Sequence, residues 1–246
     1  MDNTDIILKE IFTSDILTKS QKILKSEKKI TEKLNTNTTD LELYFKLAAV
    51  VLEEPEVDFI KSMECMEEVL TFDKTNKEAV IFLSWLQYFY RGYVNSDTLI
   101  LLDNLLKDIE IDPLSKSLIY LAKSWSDEIN EEQHFHFLEE SIKNDGTYVS
   151  NYFELANLYR AKGDLNKEQN LIIKALKNVE KIYLVDESFD ITVTKQYLGD
   201  CFKGVINIPT YDIPTYENIK KESILRTVID SNTISDILEN ILFRKK

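Results

Sequence analysis

Two cysteines, two histidines and 43 carboxylates are the side chains here that could do chemistry. A thiol nucleophile needs a base beside it, and a metal needs several converging ligands. Cys65 and Cys201 stand far apart and form neither a CxxC pattern nor a disulfide framework. Neither has a histidine near it in sequence, so only a partner brought up by the fold could activate it. His134 and His136 are two residues apart; on a helix they point roughly 200° apart and cannot share a metal. HExxH, Gly-rich phosphate-loop and GxSxG motifs are all absent. A catalytic carboxylate pair could sit among so many acids, but nothing singles one out. The sequence predicts a protein that is not an enzyme and needs no metal or cofactor.

Binding is the remaining kind of function, and the composition narrows it. The chain has 246 residues, 43% of them hydrophobic and 11% aromatic, which is enough to build a continuous core. Its formal net charge of −13 argues against nucleic acid, whose phosphates call for clustered Lys and Arg. A protein or peptide partner suits that charge better, and a basic one would complement it. The first residues, MDNTDIILKE, carry acids where a signal peptide carries positive charge. No stretch approaches the roughly 20 apolar residues of a membrane span. The expected setting is cytoplasmic, with no membrane partner.

With only 5 Gly and 4 Pro, the chain reads as helices joined by short turns. Residues 1–38 hold two helical runs, with Ser14 and Asp15 as candidate caps between them. Paired helices are then predicted at 41–54 and 57–72, 78–92 and 97–111, 115–129 and 131–145, and 148–163 and 165–181. Pro55, Gly92, the Asp112-Pro113 step and Gly146 mark breaks. A fifth forward helix is predicted at 191–204. Residues 205–216, VINIPTYDIPTY, read as an extended loop, followed by a closing helix pair to residue 246.

The stretch 151–175 carries a recognisable pattern. Tyr152, Leu155, Ala156, Tyr159 and Gly163 match the forward helix of the tetratricopeptide repeat (TPR), and Ala175-Leu176 its close. Leu118, Leu121, Ala122 and Trp125 fall in the same places, Ala122 being 34 residues before Ala156. Tyr44, Leu47 and Ala48, then Val80, Leu83 and Ser84, and finally Leu198-Gly199-Asp200-Cys201-Phe202 repeat the pattern more loosely. The small residues Ala48, Ser84, Ala122, Ala156 and Gly199 are expected where paired helices approach most closely. Glu168 stands where the return helix of the family carries a small residue. The chain thus resembles the TPR family over about 40–204. The resemblance implies an all-α, right-handed solenoid of antiparallel helix pairs in one 1–246 domain, with extra N-terminal helices and a capping C-terminal pair.

Proteins of that family hold ligands on a concave face lined by the forward helices. Carrying its register across points to Phe45, Phe82, Trp85, Tyr88, Phe89, Tyr120, Lys123, Phe153, Asn157, Arg160 and Tyr197 as partner-binding residues. Aromatics and Arg are the types that anchor interfaces. A register error of one residue would instead put the aromatics in the core. The family's carboxylate clamp is not matched, because Phe153 and Ile119 occupy two of its positions. Acids cluster at Glu53, Glu54, Glu56, Asp58, Glu64, Glu67 and Glu68, and again at Asp127, Glu128, Glu131, Glu132, Glu139 and Glu140. They read as solvated faces or as a surface for a basic partner. Three functions stay open: a scaffold binding a protein or peptide, an acidic inhibitor or immunity-type protein against a basic toxin or nuclease, and a secretion or assembly chaperone.

Overall fold

The computed structural model describes residues 3–174, apart from 13, 53–56, 147–148, 169 and 172–173. The fifth forward helix, the 205–216 loop and the closing helix pair expected from the sequence lie outside the described residues. Within them the fold is all-α. Nine helices are present among the described residues: α1 (Asn3–Phe12), α2 (Lys19–Leu34), α3 (Leu41–Val50), α4 (Phe59–Phe72), α5 (Lys77–Arg91), α6 (Ser96–Leu105), α7 (Pro113–Ser124), α8 (Glu131–Asn144) and α9 (Val149–Ala161). None is long and apolar enough to cross a membrane.

These residues form two compact units. One contains α1 to α6 together with residues 125–128, and the other contains α7, α8, α9 and the helical residues that follow from Leu165. In the first unit α2 packs on α3, α3 on α4, α4 on α5 and α5 on α6. In the second, α7 packs on α8 and α8 on α9. The small residues of the repeat pattern are enclosed. Ala48, Ser84, Ala122 and Ala156 are all buried, with larger apolar residues such as Leu47, Leu83, Leu121 and Leu155 beside them. A small side chain lets two backbones approach while its neighbours fill the space on either side.

Caps decide where the helices start. Thr18, not Ser14 or Asp15, begins α2: its hydroxyl accepts from the Gln21 amide, and the Gln21 side chain accepts from the Thr18 amide in return. Asp58, Asn76, Asn95 and Asn130 accept from the amides three residues on and begin α4, α5, α6 and α8. Asp112-Pro113 starts α7 rather than merely breaking the chain. The Asp112 carboxylate accepts from the Ser115 amide at 2.8 Å, and Pro113 takes the first helical position, where no amide donor is needed. α6 stops at Leu105, short of the predicted residue 111, because Asp108 closes a turn on the Glu110 amide at 3.0 Å. Ile109 is consequently 93% exposed.

In the second unit, polar side chains lock the helices together. Asn151 on α9 donates from Nδ2 to Ser141 Oγ on α8 at 2.5 Å and reaches Ser117 Oγ on α7 at 3.4 Å. The two serines are 3.1 Å apart, Ser141 Oγ donates to the Ser117 carbonyl at 2.6 Å, and all three residues are fully buried. Buried polar groups cost free energy unless paired, so this network fixes the rotation of each helix about its axis. Asn151→Ala removes the shared donor and leaves a cavity. It should lower unfolding free energy by roughly 2 kcal/mol or more, read from urea denaturation followed by circular dichroism.

Candidate functional site

The aromatic residues expected to bind a partner divide sharply by position. Phe45, Phe82 and Trp85 are core residues, Trp85 being only 3% exposed. The structure buries them instead of presenting them on a binding face: each lies in a run of consecutive buried residues, 45–50 in α3 and 79–87 in α5. Further along α5 the enclosure ends. Tyr88 is half-buried and Phe89 is 40% exposed. Gly92 then ends the helix in a left-handed conformation (φ 83°), a geometry that favours glycine, and turns the chain back.

Trp125 organises this end of α5. The repeat pattern put it inside a helix, but α7 stops at Ser124, and Trp125 begins a short strap laid along the α5–α6 turn. The Val94 amide donates to the Trp125 carbonyl at 3.1 Å, and Val94 and Ser126 form a parallel bridge. The Trp125 ring stacks on Tyr88 at 4.1 Å and 10°, and meets Trp85 edge-on at 4.8 Å and 87°. Phe89 contacts both Trp85 and Tyr88, at 5.9 and 5.8 Å. Gln87 holds the turn from beneath: it is buried, donates to Thr98 Oγ1 at 2.9 Å and accepts from the Asn95 amide at 3.2 Å.

Sequence reasoning missed the remaining members of this surface. Tyr90 and Tyr93 are 49% and 37% exposed, and Tyr90 stacks with Phe59 of α4 at 6.1 Å. The signal was present, because three consecutive aromatics on a helix span roughly 200° and cannot all enter one core. Carboxylates flank the patch. Asp58 is exposed beside Phe59, and Asp127 and Glu128 are exposed on the strap, where Glu128 accepts a hydrogen bond from Ser96 Oγ.

The other expected residues are in the second unit. Tyr120 and Lys123 come together on α7, with the Lys123 ammonium 4.4 Å from the Phe137 ring centre. Asn157 is exposed on α9. Arg160 donates from Nε to Glu168 at 2.6 Å, so its charge is held by a buried carboxylate. That pairing explains the charged residue at the position of Glu168: it is neutralised within its own helical hairpin. The Phe153 side chain and Tyr197 lie outside the described residues.

Cys65 is buried in α4, and burial pushes its thiol up to about 12, far from a nucleophile at neutral pH. Burial likewise lowers the pKa of His134. Among the described residues, no three His, Cys, Asp or Glu side chains converge to hold a metal.

The fold is that of a TPR-like helical-repeat protein. Two solved structures share it: the crystal structure of MamA, and residues 41 to the end of MamA from Desulfovibrio magneticus RS-1. The first is 17% identical, with a TM-score of 0.51, over 74% of this chain and 96% of that one. The second is 12% identical, with a TM-score of 0.53, over 74% of this chain and 98% of that one. No family model matches the sequence, and no curated protein matches it either.

Two outcomes follow for single residues. Trp85→Ala should cost about 3–5 kcal/mol of stability, as core Trp truncation does, whereas Phe89→Ala should cost less than about 1 kcal/mol; thermal denaturation of both variants checks this. In a Cys201→Ser background, Cys65 should resist a thiol-reactive chromophore at pH 8 until denaturant is added. Rapid labelling of the native protein would show that the thiol is accessible after all.

Proposed function

We propose that this chain is a non-catalytic protein-interaction module that docks a basic segment of a partner protein on the aromatic end of α5. The observation that carries the reading is the exposed run Phe89, Tyr90 and Tyr93, in which Phe89 packs on buried Trp85 and Tyr90 on Phe59, with Asp58, Asp127 and Glu128 exposed nearby. Aromatic side chains backed by a rigid core lose little entropy on binding and dominate interface energetics. Their faces attract Lys and Arg, and carboxylates beside them supply the matching charge.

The exposed acids of α4, Glu64, Glu67 and Glu68, extend the negative field beyond the contact itself and favour fast capture of a basic protein. An inhibitor of a basic toxin or nuclease is the narrow form of this reading, with one stoichiometric partner. A scaffold is the broad form, with several weaker ligands.

Copurification from the native host followed by titration with the recovered partner tests the proposal. The Phe89→Ala/Tyr93→Ala double variant should weaken binding at least about tenfold, the loss of one good anchor, with helical content unchanged. Raising salt from about 50 to 500 mM should slow association of the wild type. Unchanged affinity in the double variant would sink the proposal.

A further inference from the structure

In the function proposed above the acids of α4 act at a distance, but their places on the helix point to a contact as well. At about 100° per residue, Ile60, Glu64, Glu67, Glu68 and Thr71 share an arc of roughly 100°, and all five are exposed. The buried residues of α4, from Ser62 to Leu70, occupy the opposite side. Apolar groups stand at both ends of the exposed face. Ile60 is 51% exposed at its start, next to Phe59 and the Tyr90 ring stacked on it. Phe72 is 48% exposed at its finish and leans on the Tyr44 ring, 6.4 Å away. The Tyr44 hydroxyl is itself held, donating to the Thr38 carbonyl at 3.2 Å.

The carboxylates between those ends are unmatched. Lys61, the one basic residue of α4, is committed to Glu27 of α2. Among the described residues, Glu64, Glu67 and Glu68 enter no ion pair. Like charges three and four residues apart repel one another along a helix, and cations laid across them relieve that repulsion. The spacing also selects the shape of what carries those cations. Glu67 and Glu68 stand about 4.5 and 6 Å along the axis from Glu64. Side chains three and four apart on a second helix have the same rises, whereas those on one side of a strand recur every ~6.6 Å. Ile60 and Phe72 are twelve residues apart, about 18 Å along the helix, which some three turns of a partner helix would cover.

We infer that this face docks a basic amphipathic helix of the partner protein, its Lys and Arg meeting Glu64, Glu67 and Glu68 and its apolar side chains meeting Ile60 and Phe72. The inference rests on the reading that the partner is basic, and adds the conformation of its docking segment and a row of contacts along α4. Exposed ion pairs contribute little singly. The apolar ends supply the hold, and the acids set the register.

The test uses the full chain and two fluorescein-labelled 16-residue peptides of one composition. The first places Lys at three- and four-residue spacing, with Leu on the same helical face toward either end; the second scrambles the order. Fluorescence anisotropy should show saturable binding of the first peptide, at least about tenfold tighter than the second. Glu64→Gln/Glu67→Gln/Glu68→Gln should weaken it at least about tenfold. Asp15→Asn/Glu110→Gln/Glu132→Gln removes as many exposed acids elsewhere and should leave affinity within about twofold. Circular dichroism verifies that both triple variants keep their fold. Equal binding of the two peptides, or equal weakening by the two triple variants, would overturn the inference, because the general field of an acidic chain would then suffice. Absence of saturable binding would overturn it too, as would displacement by equimolar spermine, which would assign the face to a flexible polycation. Titration of the copurified partner separates this inference from the proposed function. If Phe89→Ala/Tyr93→Ala loses that partner while the Glu64 triple variant keeps it, the aromatic patch stands and the docked helix falls. The reverse result keeps the docked helix and removes the aromatic patch.

Discussion

Each helix from α1 to α9 is ten to sixteen residues long, a length at which an isolated helix is marginal in water. The structure therefore depends on close approach between neighbours. Ala48, Ser84, Ala122 and Ala156 are each buried in a forward helix, and small side chains permit such approach. Where a serine takes this role, its hydroxyl must be satisfied without water. Ser84 does so within its own helix, donating to the Ile81 carbonyl at 2.6 Å. Ser117 and Ser141 do so between helices, through Asn151. The first solution permits close packing in several rotations, while the second permits only one, because hydrogen bonds are directional and apolar contacts are not.

Packing of this kind also decides which aromatics remain outside. Trp85 lies in the part of α5 that is enclosed on all sides, and Phe89 follows it one turn later, near the point where the helix runs out. Tyr90 stacks on Phe59. Gly92 reverses the chain, and the Trp125 strap covers Trp85 and Tyr88 while Phe89 and Tyr93 stay partly open. Phe89 is thus backed by a ring that also stabilises the fold. A surface built this way is rigid before a partner arrives, which lowers the ordering cost of binding.

The helical pairs and their contact residues were legible because both follow the 3.6-residue period. The ends of the helices were less so. An Asx turn at Asp108 or a capping box at Thr18 contributes about 1 kcal/mol, yet overrides apolar periodicity that continues past it, as Ile109 shows. Trp125 was misplaced for a related reason: its spacing fits the repeat, but the helix ends one residue before it. Separating Trp85 from Phe89 required knowing which turn of α5 is its last, and periodicity is silent on that. The Ser117–Asn151 contact did leave a trace, since the two residues are 34 apart, one repeat period. Polar residues at equivalent repeat positions can thus mark a network that joins successive repeats.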